Sequence, residues 1–460
     1  MKFIGIDLGT SYIKGAGLDL DALTIRHLER LPFPDPLTGL DPAFREFDPG
    51  QVVAVTRALV DRLLQQTPDA AGIVMCSQLH GMVFTTPEGQ AVSHAINWQD
   101  QRALQAFPGS QGSYFDEVNR LLTLEERRQL GNEPRPGVPL CFLFWLARNH
   151  RLPPAGAMVA ALPNFVVANL CGCRPQSEVT NAFAHGALNV ETLNWHRTVI
   201  EKLGLDRVQW PEIVPQGTVV GEYRAGSRRL PVFAPVGDYH CSQVGAFLDE
   251  GELSINISTG SAVIQLARGC EFGDFQTRPW FDGRFLKTVT HIPGGRALNA
   301  LVRLLSELAA AQGLLLRDPW DYILAEAAKT GATDLTVDPA FYFSAMGDCG
   351  SITNVREENL RVGPLFHAAF AGMADNYARC AARLSPAKDW TRLVFSGGVA
   401  LKTALLRRLI CDRLGQAHRL AASDEDALLG LLVLALTFSG RFSSVADSLA
   451  FVRTHYQTPP

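Results

Sequence analysis

One short pattern occurs twice in this chain, and it restricts the fold more than any other feature. Near the start, the apolar run from Lys2 to Ile6 leads into Asp7-Leu8-Gly9-Thr10-Ser11 and then into Tyr12 to Leu18. Past the middle, Leu253-Ser254-Ile255-Asn256-Ile257 leads into Ser258-Thr259-Gly260-Ser261 and then into Ala262 to Leu266. Each copy predicts strand, small-residue turn, strand. No repeat at a solenoid period accompanies them, so what is duplicated is a half and not a small unit. A length of 460 residues exceeds what one ordinary core serves and suits two large domains.

Between the copies, β candidates at Ile73 to Cys76, Val232 to Pro235, Phe285 to Thr290 and Leu393 to Phe395 alternate with stretches whose apolar residues recur near i, i+3, i+4. Helices are predicted at Gln51 to Leu64, Ala297 to Ala311, Leu365 to Ser385 and Leu401 to Leu414. The fold class is therefore mixed α/β. The division is placed just after the Gly237-Asp238 turn, giving domains at 1–243 and 244–460. Pro- and Gly-rich segments at Leu31 to Pro49 and Gly131 to Pro139 read as surface loops or insertions.

Composition narrows the classes of function. Hydrophobic residues make up 47% and charged residues 19%, which carries no mark of disorder. A net charge of -4 without a Lys/Arg run offers no footprint for a phosphate backbone, so no nucleic-acid partner is expected. Asp7 interrupts the first apolar run too early for a signal-peptide core, and the stretch Ala427 to Phe438 is well short of the roughly 20 residues that span a bilayer. A cytoplasmic protein, monomer or homodimer, with no membrane partner is the expectation. The nine cysteines include the close pair Cys171 and Cys173, which lacks the spacing of a zinc site, so reduced thiols are expected. No Gly-Lys dipeptide, G-x-G-x-x-G, H-E-x-x-H or G-x-S-x-G occurs, which removes the usual support for a P-loop, a dinucleotide fold, a zinc protease and an α/β-hydrolase.

Several clusters carry chemistry. In Asp7 to Ser11, backbone N–H groups with the hydroxyls of Thr10 and Ser11 can bind phosphate oxygens, Lys14 can add charge, and Asp7 can hold a hydrated magnesium ion. The same pentapeptide also suits a plain hairpin turn, but a second such turn at Ser258 to Ser261 fits a nucleotide triphosphate gripped between two halves. Asp238 follows an apolar run and precedes a helical stretch, a position for a helix cap or for a general base. Gln78 and His80, with Trp98, Asp100 and Arg102, supply amide, imidazole, indole, carboxylate and guanidinium groups, a set that can hold a polyhydroxylated ligand. Taken singly, His80 reads as a structural histidine and Asp100/Arg102 as a surface ion pair. Gly294-Gly295 and Ser396-Gly397-Gly398 each precede a helical stretch, as turns or as places where a phosphate or ring approaches the backbone.

Taken in order from about residue 1 to about residue 440, these stretches resemble the FGGY-type carbohydrate-kinase family. That resemblance implies two ribonuclease-H-like domains of the actin and hexokinase superfamily, with ATP, Mg2+ and a sugar in the cleft between them. It implies Asp238 as general base and Asp7 as the magnesium-side carboxylate. Thr10, Ser11, Lys14, Thr259, Gly260, Gly295, Gly397 and Gly398 fall to the nucleotide; Gln78, His80, Trp98, Asp100, Arg102 and Asp238 fall to the sugar. Within the family, Trp98 to Arg102, Phe144-Trp145-Leu146, Val166 to Gly172 and Leu253 to Thr259 are most similar to the sedoheptulokinases. A ketose acceptor is implied, sedoheptulose first, with xylulose, another pentulose or a sugar acid as alternatives. A non-catalytic nucleotide- and sugar-binding sensor is the reading from another class. Leu79, Gln101 and Leu401 depart from the family's usual residues.

Overall fold

The structure, a computed structural model, describes residues 1–314, 316–331 and 333–456; residues 457–460 of the expected second domain lie outside it. Each of the two predicted hairpins forms the middle of its own sheet. In the first, Lys2–Leu8 pairs antiparallel with Tyr12–Asp19 and parallel with Ala70–Ser77. Thr24–Pro32 closes one edge, and Arg228–Phe233 with Val219–Ala225 closes the other. In the second, Glu252–Ile257 pairs antiparallel with Gly260–Ala267 and parallel with Arg392–Ser396. The outer strands are Phe285–Pro293 and Gln276–Pro279 on one side and His418–Leu420 on the other. The same pairing scheme thus occurs twice, the duplicated α/β arrangement that the sequence resemblance implies.

The helices follow from their caps and apolar faces. Asp48 accepts hydrogen bonds from Gly50 N at 2.8 Å and Gln51 N at 3.4 Å, Pro49 fills the first helical position, and the helix Pro49–Gln66 buries Val52, Thr56, Leu59, Val60 and Leu63 as one stripe. The apolar stretch near the C-terminus is the helix Asp426–Phe438, buried on nearly every side. It shares a core with Phe3, Leu18 and Val74 of the first sheet and with Ile264 and Leu286 of the second. Hydrophobic on all faces, it needs neighbours all round, and only the junction of the halves supplies them. Beside it runs the helix Asp238–Gly245. A Cβ on Gly430 would overlap the Cys241 carbonyl, and one on Gly245 the Asp426 carbonyl, so the two glycines let these helices meet backbone to backbone. The expected division between residues 243 and 244 falls within this helix.

Three local expectations change. The strand predicted over Val232 to Pro235 stops at Phe233 and resumes as Val236–Gly237, because Pro235 has no N–H for a ladder and its carbonyl accepts from Asn181 Nδ2 at 2.6 Å. The helix predicted from Leu401 breaks at Thr403 into Gly398–Lys402 and Ala404–Leu414, and Arg407 Nη1 takes up the carbonyls of Ala400 and Leu401 at 2.5 and 2.8 Å. The segment Gly131 to Pro139 is no surface loop. Gly131, Glu133, Pro134, Pro136, Val138 and Pro139 are buried, and Asn132 Nδ2 donates to Gly273 O and Phe275 O in the other half.

Candidate active site

Between the two sheets lies a cleft of about 660 Å3, with Lys14 and Arg30 on one wall, Asn256, Ser258, Gly397 and Gly398 on another, and Asp238, Tyr239 and Ser423 to Asp426 at the junction. Asp238 is placed here by a strand end. Val236–Gly237 runs parallel beside Ala70–Ser77, and the helix starts at once, with Gly237 as its cap and Asp238 as its first residue. The residue that sequence alone left between cap and base is therefore not the cap. Its Oδ1 accepts from Tyr239 N at 2.6 Å. Behind it, Gly237 N donates to Thr180 Oγ1 at 2.9 Å, and that hydroxyl donates to Glu178 Oε2 at 2.6 Å, a buried brace on the turn.

Three carboxylates from distant parts of the chain, Asp7, Asp238 and Asp426, act on one another's charge here. Burial pushes Asp238 up to about 8, with Asp7 and Asp426 adding to it and the Tyr239 N–H and Arg278 opposing. Burial likewise raises Asp7 to about 6 against the pull of Lys14, and raises Asp426 to about 6 against the Ala427 N–H. The Cys76 thiol lies 3.7 Å from Asp7 Oδ1. Lys14 donates to Glu425 at 3.0 Å, and Arg30 pairs with the same carboxylate, so both cations are held at the cleft wall by a residue next to Asp426. Asp426 escaped the sequence analysis; its signal is an acidic residue opening an apolar helix.

The glycines that the resemblance assigns to the nucleotide lie against the second turn. Gly295 N donates to Ser258 O at 2.8 Å and Arg296 N to Thr259 O at 2.9 Å, which docks one helix start on the second turn. Thr259 and Gly260 are exposed at its tip. Gly397 sits at φ 86°, and a Cβ there would lie 2.5 Å from Ile257 O. Only glycine meets both conditions. Gly397→Ala is therefore expected to weaken nucleotide binding at least tenfold by moving this loop off the turn; a dissociation constant for ADP equal to wild type, measured by calorimetry, would show that the loop does not touch the nucleotide.

The first turn differs from expectation. Thr10 Oγ1 accepts from Trp98 Nε1 at 3.0 Å and donates to Gln78 Oε1 at 3.3 Å, and Gln78 Nε2 donates to Gly9 O at 3.3 Å. The first turn and the residues Gln78 and Trp98 thus form one hydrogen-bonded unit, with Ser11 exposed beside it. His80 stands at φ 65°, its Nδ1 2.7 Å from Ala184 O and its Nε2 3.3 Å from Glu133 Oε1. Asp100 and Arg102 are not at the surface. Asp100 is 0% and Arg102 2% exposed, joined at 2.8 Å, with Glu46 at 2.6 Å and the Phe44 ring beneath the guanidinium. Asp100 also accepts from the backbone N–H groups of Arg45 and Arg102, so this pair braces its loop with its own polar atoms engaged.

Sequence reasoning also missed a buried network across the halves. Glu133 accepts from Arg278 Nη2 at 2.9 Å and Nε at 3.2 Å, and from Gln276 Nε2 at 2.8 Å. Burial opposes its ionisation, but Arg278 and His80 outweigh it and hold Glu133 at about 2. The Arg278 guanidinium in turn lies 4.5 Å from the centre of the Tyr239 ring, next to Asp238.

This cleft can be set beside known proteins. The family description for the N-terminal domain of the FGGY family of carbohydrate kinases matches residues 2–245, more than half of the chain. The chain belongs to the FGGY family of carbohydrate kinases. Over its length the kinase is similar to sedoheptulokinase from Mus musculus, 24% identical over 94% of this chain and 97% of that protein, and to the Homo sapiens sedoheptulokinase at 23%. Its fold matches that of a ligand-bound xylulose kinase from Lactobacillus acidophilus with a TM-score of 0.83, covering 98% of this chain and 92% of that one at 18% identity. A Plasmodium falciparum glycerol kinase with ADP matches at 0.82, 17% identity, 98% and 92%. The kinase is thus an enzyme of sugar phosphorylation, and among its described residues no helix is long and apolar enough to cross a membrane.

Proposed function

We propose that this kinase transfers the γ-phosphoryl group of ATP to a hydroxyl of a ketose, with sedoheptulose as the first candidate and sedoheptulose 7-phosphate as its product. The observation that carries the reading is Asp238, a half-buried carboxylate that lines the cleft at the start of its helix, with its proton affinity raised to about 8. In that role the ionised Asp238 takes the acceptor's hydroxyl proton as the oxygen attacks the γ-phosphorus and ADP leaves. A base of raised affinity takes that proton more readily than an ordinary Asp. Thr259, Gly260, Gly295, Gly397 and Gly398 cradle the phosphates, with Thr10, Ser11 and Lys14 facing them from the first half. Gln78, His80 and Trp98 hold the sugar. Asp100 and Arg102 support Trp98 from beneath its loop. The division between a sugar-binding domain, 1–243, and a nucleotide-binding domain, 244–460, falls inside the Asp238–Gly245 helix.

Among the described residues no three His, Cys, Asp or Glu side chains stand together as a direct metal site, so magnesium would be held through water and by the nucleotide's phosphates. When bound it would supply charge neutralisation for the phosphates, with Asp7 the carboxylate that holds it through water.

The sedoheptulose reading draws on the near full-length similarity to the two sedoheptulokinases. The test is ADP release with ATP and magnesium across sedoheptulose, xylulose, ribulose, fructose, gluconate and glycerol. Sedoheptulose is expected to give the highest kcat/KM. A higher value for xylulose or gluconate reassigns the acceptor within the family, and ADP release unaffected by any sugar favours a sensor.

A further inference from the structure

A second cavity, about 140 Å3, opens where Phe115 and Arg135 of the first half meet Gln276, Thr288, Thr290 and Arg383 of the second. Among the described residues lining it there are two guanidiniums and several hydroxyls but no carboxylate. Arg383 is matched by Asp274 at 2.8 Å. Arg135 is not matched. Its Nη1 donates to the carbonyls of Asn132 and Pro134 at 3.4 and 3.0 Å, and among the described residues it forms no ion pair. The nearest carboxylate, Glu133, is already taken by Arg278, Gln276 and His80. A half-buried guanidinium beside two others, with only main-chain acceptors, keeps a positive charge that its surroundings leave unneutralised. Burial indeed holds Arg135 below the ordinary guanidinium range, with Glu133 opposing and Arg278 adding to the effect.

We propose that this cavity binds a small oxyanion, phosphate or carboxylate, on the Arg135 guanidinium; the neighbouring hydroxyls of Thr288 and Thr290 already donate to Val263 O and Gln276 Oε1, so the guanidinium carries the recognition. With Nη1 on those two carbonyls, the Nε and Nη2 edge of the planar fork remains for two oxygens of one such group. The cavity is one side chain away from the chemistry: Thr288 Oγ1 lies 2.5 Å from the hydroxyl of Tyr239, the residue after Asp238. The anion is either a group carried by a sugar acid or sugar phosphate, or a free oxyanion that acts as an effector. The site stands whichever sugar the kinase accepts.

Calorimetric titration of the full chain with inorganic phosphate, at fixed ionic strength and with ADP present to fill the nucleotide turns, tests it. Wild type is expected to bind phosphate, Arg135→Gln at least tenfold more weakly, and Arg135→Lys, which keeps the charge without the fork, in between. Equal affinity in wild type and Arg135→Gln, or no binding to wild type at tens of millimolar, overturns the site. Should the Gln variant fail to fold, wild type against Arg135→Lys decides: an unchanged affinity there overturns it as well. Displacement of phosphate by the preferred sugar makes the site part of the acceptor pocket, and joint binding makes its ligand a separate effector. Because phosphate binding is read without turnover, its failure leaves the kinase reading untouched.

Discussion

Asp238→Asn is expected to lower kcat by a factor of about 10² or more while nucleotide binding persists, because general-base catalysis is worth roughly that much and the amide cannot accept the hydroxyl proton. Wild-type turnover in the variant would remove Asp238 as the base. In wild type, kcat/KM is expected to rise as pH rises toward about 8, where the half-buried carboxylate ionises. The same substitution has a stability signature of known sign. The folded-state affinity of Asp238 for its proton lies above the ordinary value of 3.8, so between pH 4 and 8 the unfolded chain releases a proton that the native chain keeps. The contribution of Asp238 to stability is thus fully present below about pH 4 and lost as pH rises through about 8. Asparagine has no such proton. The Tm difference between Asp238→Asn and wild type should therefore widen in favour of the variant from pH 4 to 8 and stay constant above. A difference independent of pH would mean that the carboxylate ionises freely and that burial does not set its behaviour.

Arg278→Met is expected to cost about 3–5 kcal/mol of stability, because it leaves Glu133 buried without its guanidinium. The magnitude follows from asymmetry: the intact pair roughly offsets its own desolvation, whereas one partner alone does not. Urea unfolding measures it, and the double variant Glu133→Gln/Arg278→Met should recover much of the loss. A double variant as unstable as the single one would show that Arg278 acts through packing on Phe183 and Tyr239 alone. For Glu133 the pH dependence runs opposite to that of Asp238. Its proton affinity is depressed from 4.5 to about 2, so its contribution is present above pH 4.5 and lost as pH falls through about 2. In the intact protein this network ties the loop at 131–138 to the strand Gln276–Pro279, one element of each half.

The carboxylate at the end of Lys2–Leu8, the two small-residue turns, the glycines at 294–295 and 397–398, and Asp238 ahead of its helix were all legible in the chain. Each is a local event: an alternation that changes period, a glycine that admits a close approach, a charged residue after an apolar run. Their order along the chain carried the family resemblance as well. What the sequence could not show was which polar groups face one another across the fold. Asp100 and Arg102 read as a surface pair until the Phe44 ring and Glu46 are seen to enclose them. The Pro- and Gly-rich segment at 131–139 read as solvent-exposed, yet it carries Glu133, whose partner Arg278 stands 145 residues later. Asp426 joins Asp7 and Asp238 only because its apolar helix is wedged between two sheets. By itself the sequence determined the strands, the turns and the duplicated halves, since backbone conformation and hydrophobic period are encoded within a few residues. Only the tertiary structure decided which charges are buried and against what, because desolvation and Coulomb energy depend on neighbours that the fold brings from anywhere in the chain.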